Sequence, residues 1–206
     1  MARVVKKAAE RRNEIIQAAK EQFQTQEYKK ITMQGLTEKL NIAKGTLYHH
    51  FASKGEILEA VVEEIVDEEL VRKQNLLIDH DTLPPLPKLI RLITDNSMPQ
   101  EHEILLENLH HPENSDIHTR QLARFILKLA PLYASVISQG CQTGVFTTKA
   151  PLECAEFIIS GVQFLTDIGF YPWSEEQLRR RAEAFPLLIQ TLLGAPTGAF
   201  DFLNKG

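Results

Sequence analysis

Between Ile57 and Val66 the apolar residues fall at i, i+1, i+4, i+5, i+8 and i+9: Ile57, Leu58, Val61, Val62, Ile65 and Val66. That spacing lines one face of an α-helix and is incompatible with a half-buried strand, which alternates with period two. Glu56, Glu59, Glu63, Glu64 and Asp67 fall largely outside the stripe and supply a solvated face. The same period recurs along the chain. Ile16, Ala19 and Phe23 share a face, as do Leu122, Phe125, Ile126, Leu129, Leu132, Tyr133, Val136 and Ile137. Phe157, Ile158, Val162 and Leu165 form another stripe, and Leu178, Phe185, Leu188, Ile189 and Leu192 a last one. No segment alternates convincingly, so the fold class is all-α.

Prolines and glycines divide this helical text. Leu83-Pro84-Pro85-Leu86-Pro87 ends the long helix that begins near Ser53 and opens the next. Pro99 and Pro112 bracket a helix of about twelve residues that carries Glu103, Glu107, His110 and His111. Gly140 to Gly144 ends a helix that contains Pro131, whose missing N–H predicts a kink. Pro151 suits a first helical turn, and Pro172 separates two final helices, about Leu152 to Gly169 and Glu175 to Leu193.

The segment Thr32 to Lys54 is the most specific. Thr32 is placed to cap a short helix that ends near Leu40. Asn41 follows, and asparagine tolerates the left-handed backbone that a tight turn between helices needs. Ile42 and Leu47 take the hydrophobic-staple positions of a second short helix, and Ser53 with Glu56 reads as a capping box for a third. Helix, tight turn, helix is a helix-turn-helix. Its second helix leads with Lys44, Gly45 and Thr46, which suits entry into a major groove N-terminus first, where free N–H groups also favour phosphate.

The string Lys44-Gly-Thr-Leu-Tyr-His-His-Phe51, followed by Ser53 and Lys54, resembles the recognition helix and fourth-helix start of the TetR family of bacterial transcription regulators. Phe23 and Ile31-Thr32 fit that pattern as well. The resemblance covers about a quarter of the chain. It implies an N-terminal three-helix helix-turn-helix domain (residues 1–54) and a larger C-terminal helical domain for ligand binding and dimerisation (residues 55–206). It further implies that Gln34 touches base edge or phosphate, and that Lys44, Gly45, Thr46, Tyr48 and His49 face the major groove. Lys54 would grip phosphate. Leu36, Leu40, Leu47 and Phe51 would fix the angle between the helices. The basic arm (Arg3, Lys6, Lys7, Arg11, Arg12) would follow the backbone or minor groove. The sequence departs from the family at Asn41, usually Gly, and at Ala43, usually Ser or Thr. Ala43 cannot cap the recognition helix, a loss of about 1 kcal/mol. Gly35 and Thr37 are unusual within the second helix.

Charge is distributed to match. The net charge of −4 resolves into +6 for residues 1–54 and −10 for the remainder. A basic head on an acidic body is what a chain with one polyanion-binding end shows. The basic N-terminus lacks an apolar core of the kind a secretory signal carries, and no apolar run reaches the ~20 residues of a membrane span. Two cysteines, Cys141 and Cys154, show neither a disulfide framework nor zinc-finger spacing, and a cytoplasmic location is expected.

For the body, the resemblance implies a cavity for an unknown small-molecule inducer. The candidate contacts are His102, Phe125, Tyr133, Gln163, Phe164 and Asp167; Gln163 and Asp167 stand out as polar residues on apolar helices. Phe125, Tyr133, Phe157, Phe164 and Trp173 are all spaced as helix core residues, and the resemblance implies that some of them line the cavity. The last two helices would pair with their copies in a homodimer, with Gly161 permitting close approach, and Arg179-Arg180-Arg181 reads as a solvated face. The expected partners are a double-stranded operator, an inducer and a second copy, with no cofactor and no metal. Two other classes compete. A metal-sensing protein would use the His102 to His118 region, where Glu107 and His111 are an i, i+4 pair, although a histidine pair before Pro112 also suits a helix C-terminus. A purely structural helical dimer would bind no DNA. An enzyme is not expected, since G-x-S-x-G, phosphate-loop and H-E-x-x-H motifs are all missing.

Overall fold

The computed structural model describes residues 8–95 and 103–201. Among them the regular elements are helical: α1 (Ala8–Thr25), α2 (Met33–Leu40), α3 (Lys44–His50), α4 (Lys54–Asp79), α5 (Pro85–Thr94), α6 (Glu103–Leu109), α7 (Ser115–Gln142), α8 (Pro151–Thr166) and α9 (Glu175–Leu193), with short 3₁₀ turns at Tyr28–Lys30 and Pro112–Asn114. The chain forms two compact units. One comprises residues 1–65 and 98–121, the other residues 66–97 and 122–206, and α4 and α7 each contribute to both. The expectations for Arg3, Lys6, Lys7, Pro99 and His102 lie outside the described residues.

The core of the first unit is built from the predicted stripes. Ile15, Ile16, Ala19 and Phe23 of α1 meet Leu36 of α2, Leu47 of α3, Phe51, and Ile57, Leu58, Val61 and Val62 of α4. Leu105 and Leu109 of α6 close it. Full burial of Phe23, Leu36 and Leu47 contributes roughly 1.5–3 kcal/mol each, less the entropy of ordering them.

Most of the predicted turn chemistry holds. Thr32 accepts a hydrogen bond from the Gly35 amide at 3.0 Å and starts α2. A Cβ on Gly35 would sit 3.2 Å from that hydroxyl oxygen, which gives this unusual glycine a local reason. Asn41 ends α2 in the left-handed region (φ 50°, ψ 49°). Ala43 starts α3 with no side-chain cap. Ser53 accepts from the Glu56 amide at 3.1 Å, but the Glu56 carboxylate returns to the amide of Ala52 at 2.7 Å rather than to that of Ser53, so the predicted box closes one residue early.

The second unit packs Leu89 and Leu92 of α5 with Leu129, Ala130, Val136 and Ile137 of α7, Ile159 of α8 and Ile189 and Leu193 of α9. Phe146 is buried against Gly140, where any Cβ would come within 2.1 Å of the ring. This contact makes the turn after α7 specific to glycine.

Four expectations need correction. The helix between Pro99 and Pro112 is described only over Glu103–Leu109; His110 and His111 lie beyond its end, and His111 caps the following turn by accepting from the Glu113 amide. α8 stops at Thr166, because Asp167 turns extended and its carboxylate accepts from the Gly169 amide at 2.7 Å. Phe157 is 71% exposed, and Phe164 and Leu188 are exposed too, so none of the three is core. Arg181 is not merely solvated: its guanidinium lies 3.7 Å from the centre of the Trp173 ring and donates to the Leu165 carbonyl.

Candidate nucleic-acid interface and effector cavity

Helix α3 is short, and its residues divide by face. Leu47 is fully buried and anchors it, with Phe51 buried just beyond its end. Lys44, Gly45, Tyr48 and His49 are exposed on the other side, and Thr46 is half-buried. A Cβ on Gly45 would meet nothing within 4 Å, so the space beside its backbone is open. The Lys44 ammonium lies 5.6 Å from the centre of the Tyr48 ring, which holds both side chains on one patch. Gln34 is exposed on α2, with its amide donating to Glu38 at 2.9 Å. That bond uses one N–H of the amide, and the side chain's oxygen keeps its acceptor capacity.

Basic side chains extend the patch. Arg12 lies over the Phe51 ring at 4.9 Å, and His49 and His50 meet edge to face. Desolvation first, then the neighbouring His49, Arg12 and Arg11, hold the His50 imidazole below its usual pKa. Lys54 is placed differently from the phosphate-gripping role expected of it. Its ammonium donates to the Tyr28 carbonyl at 2.7 Å and lies 3.7 Å from the centre of the Tyr28 ring. Partial burial lowers its pKa. This lysine ties the start of α4 to the turn after α1.

A second tie was not foreseen. Asn108 of α6 is buried beneath the end of α1. Its Oδ1 accepts from the Tyr28 amide at 2.5 Å, and its Nδ2 donates to the carbonyls of Phe23 and Gln26 at 2.8 and 2.9 Å. Helix ends leave such carbonyls without partners, and α1 has no glycine cap to absorb them. A side chain more than 80 positions away does so instead.

The second unit contains a cavity of about 520 Å³, within the usual range for small-ligand sites. Phe125, Ile158, Ile159, Phe185 and Ile189 provide apolar walls. Among the expected ligand contacts, Phe125, Tyr133 and Gln163 line it. Phe164 and Asp167 do not: the Phe164 ring packs tilted against that of Phe170, and Asp167 closes the end of α8. The cavity's charged residues, Glu69 and Lys73, were missed. The signal was present in the sequence, since Leu70, Lys73 and Leu77 continue the apolar stripe of α4, and a lysine at a core position marks a buried charge. Lys73 donates to the carbonyls of Leu92 and Asp95 at 2.7 and 2.6 Å, and burial lowers its pKa. Arg72 grips both oxygens of Glu69 and also reaches Asp95.

Residues 15–61 match the family described as bacterial regulatory proteins, tetR family, and residues 99–187 match the tetracyclin repressor-like C-terminal domain. The chain belongs to the TetR family. The first match spans α2, α3 and the exposed patch, and the second spans most of the cavity wall. TetR-family relatives include the HTH-type transcriptional repressor KstR2 of Mycolicibacterium smegmatis, 35% identical over 95 residues, which are 46% of this chain and 45% of that one. The chain thus spans less than half of KstR2 in that alignment. The uncharacterised HTH-type transcriptional regulator YfiR of Bacillus subtilis is 24% identical over 196 residues, covering 90% of this chain and 93% of YfiR. Among solved structures, RolR in complex with resorcinol has a TM-score of 0.65 at 15% identity, with 97% of this chain and 95% of RolR covered. That likeness concerns the all-helical TetR fold. The metal-sensing alternative draws no support from these matches. No described helix is long and apolar enough to cross a membrane.

Proposed function

We propose that the protein is a homodimeric, ligand-responsive repressor that binds a pseudo-palindromic operator and is released from it by a small-molecule inducer. The observation that carries this reading is the division of α3: a buried Leu47 beneath an exposed face of Lys44, Gly45, Tyr48 and His49, within a segment that matches the family's DNA-binding region. In this reading those residues and Thr46 face the major groove, Gln34 adds a contact from α2, and Lys54 acts from behind by holding the turn after α1. Residues 1–54 form the reading head and residues 55–206 the ligand-binding and dimerisation body. The relative named as a repressor, KstR2, supports the sign of regulation. RolR, solved with resorcinol, supports a small-molecule effector.

A second copy of the chain would cover α8 and α9. Leu152, Phe157, Phe164, Leu187 and Leu188 on these helices are exposed large apolar side chains, more than an isolated soluble surface normally gathers. Two heads in such a dimer would read half-sites about one helical turn or a multiple apart. α4 gives a route for release, since it contributes Ile57, Leu58, Val61 and Val62 to the core beneath α3 and Glu69 and Lys73 to the cavity wall. A cytoplasmic location and the absence of catalysis belong to the same reading.

The test is retardation of DNA fragments flanking the gene by wild type, Tyr48→Ala and Lys44→Ala. Wild type should select one fragment over random DNA at moderate salt, and both variants should lose that preference. Equal binding of wild type to all fragments would sink the proposal.

A further inference from the structure

The cavity carries an unfinished hydrogen bond. Oε1 of Gln163 is buried and has no partner. A buried polar atom left unpaired costs stability, and native structures keep few of them, so its presence in a residue that lines the cavity needs a reason. The neighbouring polar groups are already engaged. Tyr133 gives its proton to the Leu92 carbonyl at 2.8 Å, and burial keeps its phenol protonated well above the usual range. Thr94 gives its proton to the Ile90 carbonyl. Lys73 is held by two backbone carbonyls, and Glu69 is held by Arg72.

The charges balance as well. Arg72 and Lys73 face Glu69 and Asp95 within one network. A charged ligand would bring an uncompensated charge against Phe125, Ile158, Phe185 and Ile189, which is strongly unfavourable. An uncharged ligand meets no such penalty. The walls call for an apolar frame, and Gln163 calls for a group that gives it a proton. The oxygen of Tyr133 retains acceptor capacity on the same lining.

We infer that the effector is an uncharged, mainly apolar molecule bearing a hydroxyl group that donates to the side-chain amide of Gln163. This deepens the regulator reading and rests on it. A hydroxyl fits better than a carbonyl or an ether because the unpaired atom is an acceptor and neither of those groups has a proton to give. Specificity follows from the asymmetry of buried hydrogen bonds: a ligand without the donor leaves Oε1 stranded and is rejected.

The experiment uses full-length wild type and Gln163→Met, which keeps the side chain's length without its polar atoms. Naphthalene and decalin frames are each supplied as the alcohol, the methyl ether and the carboxylate, and affinities are measured by calorimetry at neutral pH. Wild type should bind an alcohol about tenfold tighter than its ether and its carboxylate, and Gln163→Met should bring alcohol and ether to within about twofold of each other. Unliganded Gln163→Met should melt about 2–4 °C higher than wild type, because the stranded acceptor is gone. Preference for a carboxylate, a preference for the alcohol that persists in the variant, a lower melting temperature for the variant, or no binding of either alcohol would each overturn the inference. DNA retardation run in parallel separates the two readings. A protein that holds its operator but binds neither alcohol sinks only the ligand class, and one that binds an alcohol but no DNA sinks only the regulator.

Discussion

Replacement of Asn108 by alanine removes three hydrogen bonds at once from a buried site: one accepted from the Tyr28 amide and two donated to the Phe23 and Gln26 carbonyls. Each such bond has a net worth of about 0.5–1.5 kcal/mol, so the three together come to about 3 kcal/mol. For a chain of 206 residues that corresponds to a melting temperature lower by about 6–12 °C. Urea unfolding should show the same loss as a lower midpoint with little change in slope. Hydrogen exchange locates it: the Tyr28 amide, protected in wild type, should exchange much faster while amides in the second unit keep their rates. Asn108→Asp sharpens the test. The carboxylate keeps an acceptor for Tyr28 but sets negative charge against two carbonyl oxygens, so this variant should be weaker than Asn108→Ala near neutral pH and recover partly in acid, when a protonated Asp can donate one bond. A loss below about 1 kcal/mol with unchanged exchange at Tyr28 would refute the role given to Asn108.

Three further outcomes are expected. Ala43→Ser supplies the missing cap of α3 and should stabilise the protein by about 1 kcal/mol, read as slower amide exchange over Thr46 and Leu47; unchanged exchange would show that another group already serves the helix end. Lys54→Met should cost about 1–2 kcal/mol of stability through the lost bond to Tyr28 and the lost cation–π contact, and should leave the salt dependence of DNA binding unchanged; a slope flatter by about one unit would return Lys54 to a phosphate. His50 has a folded pKa below its unfolded value, so its neutral form is favoured on folding and the penalty for charging it grows as pH falls through the region below 6.5. His50→Gln should therefore lose less stability than wild type between pH 7 and pH 5, and an equal loss in both would contradict this.

The helix-turn-helix was legible in the sequence because its chemistry is local. Thr32 caps a helix three residues ahead, Asn41 turns on its own backbone angles, and Leu47 reports its burial through its spacing from Ile42 and Phe51. Gln163 was visible for a similar reason, as an amide on an apolar helix. Asn108 was not, because nothing within α6 distinguishes an asparagine at a helix end from one that caps a different helix. Phe157 and Phe164 were misplaced because periodicity identifies an apolar face without saying whether this chain or a second copy covers it. Arg181 was misread because three consecutive arginines on a helix point in three directions, and only one of them meets Trp173. Ser174 and Gln177 form a complete capping box at the start of α9, a signal present in the sequence and overlooked there.

The first unit is assembled from two stretches of chain, residues 1–65 and 98–121, with thirty-odd residues of the other unit between them. A ribosome making this protein has released Phe23, Gln26 and Tyr28 long before it adds the asparagine that completes them. The head therefore waits, unfinished, until α6 has emerged. The same discontinuity bears on protein engineering. A chimera cut after Lys54 would transplant every residue proposed to touch DNA and leave behind the one that ties down the end of α1. Grafts of this head should carry α6 with them, or supply the new host with an equivalent of Asn108.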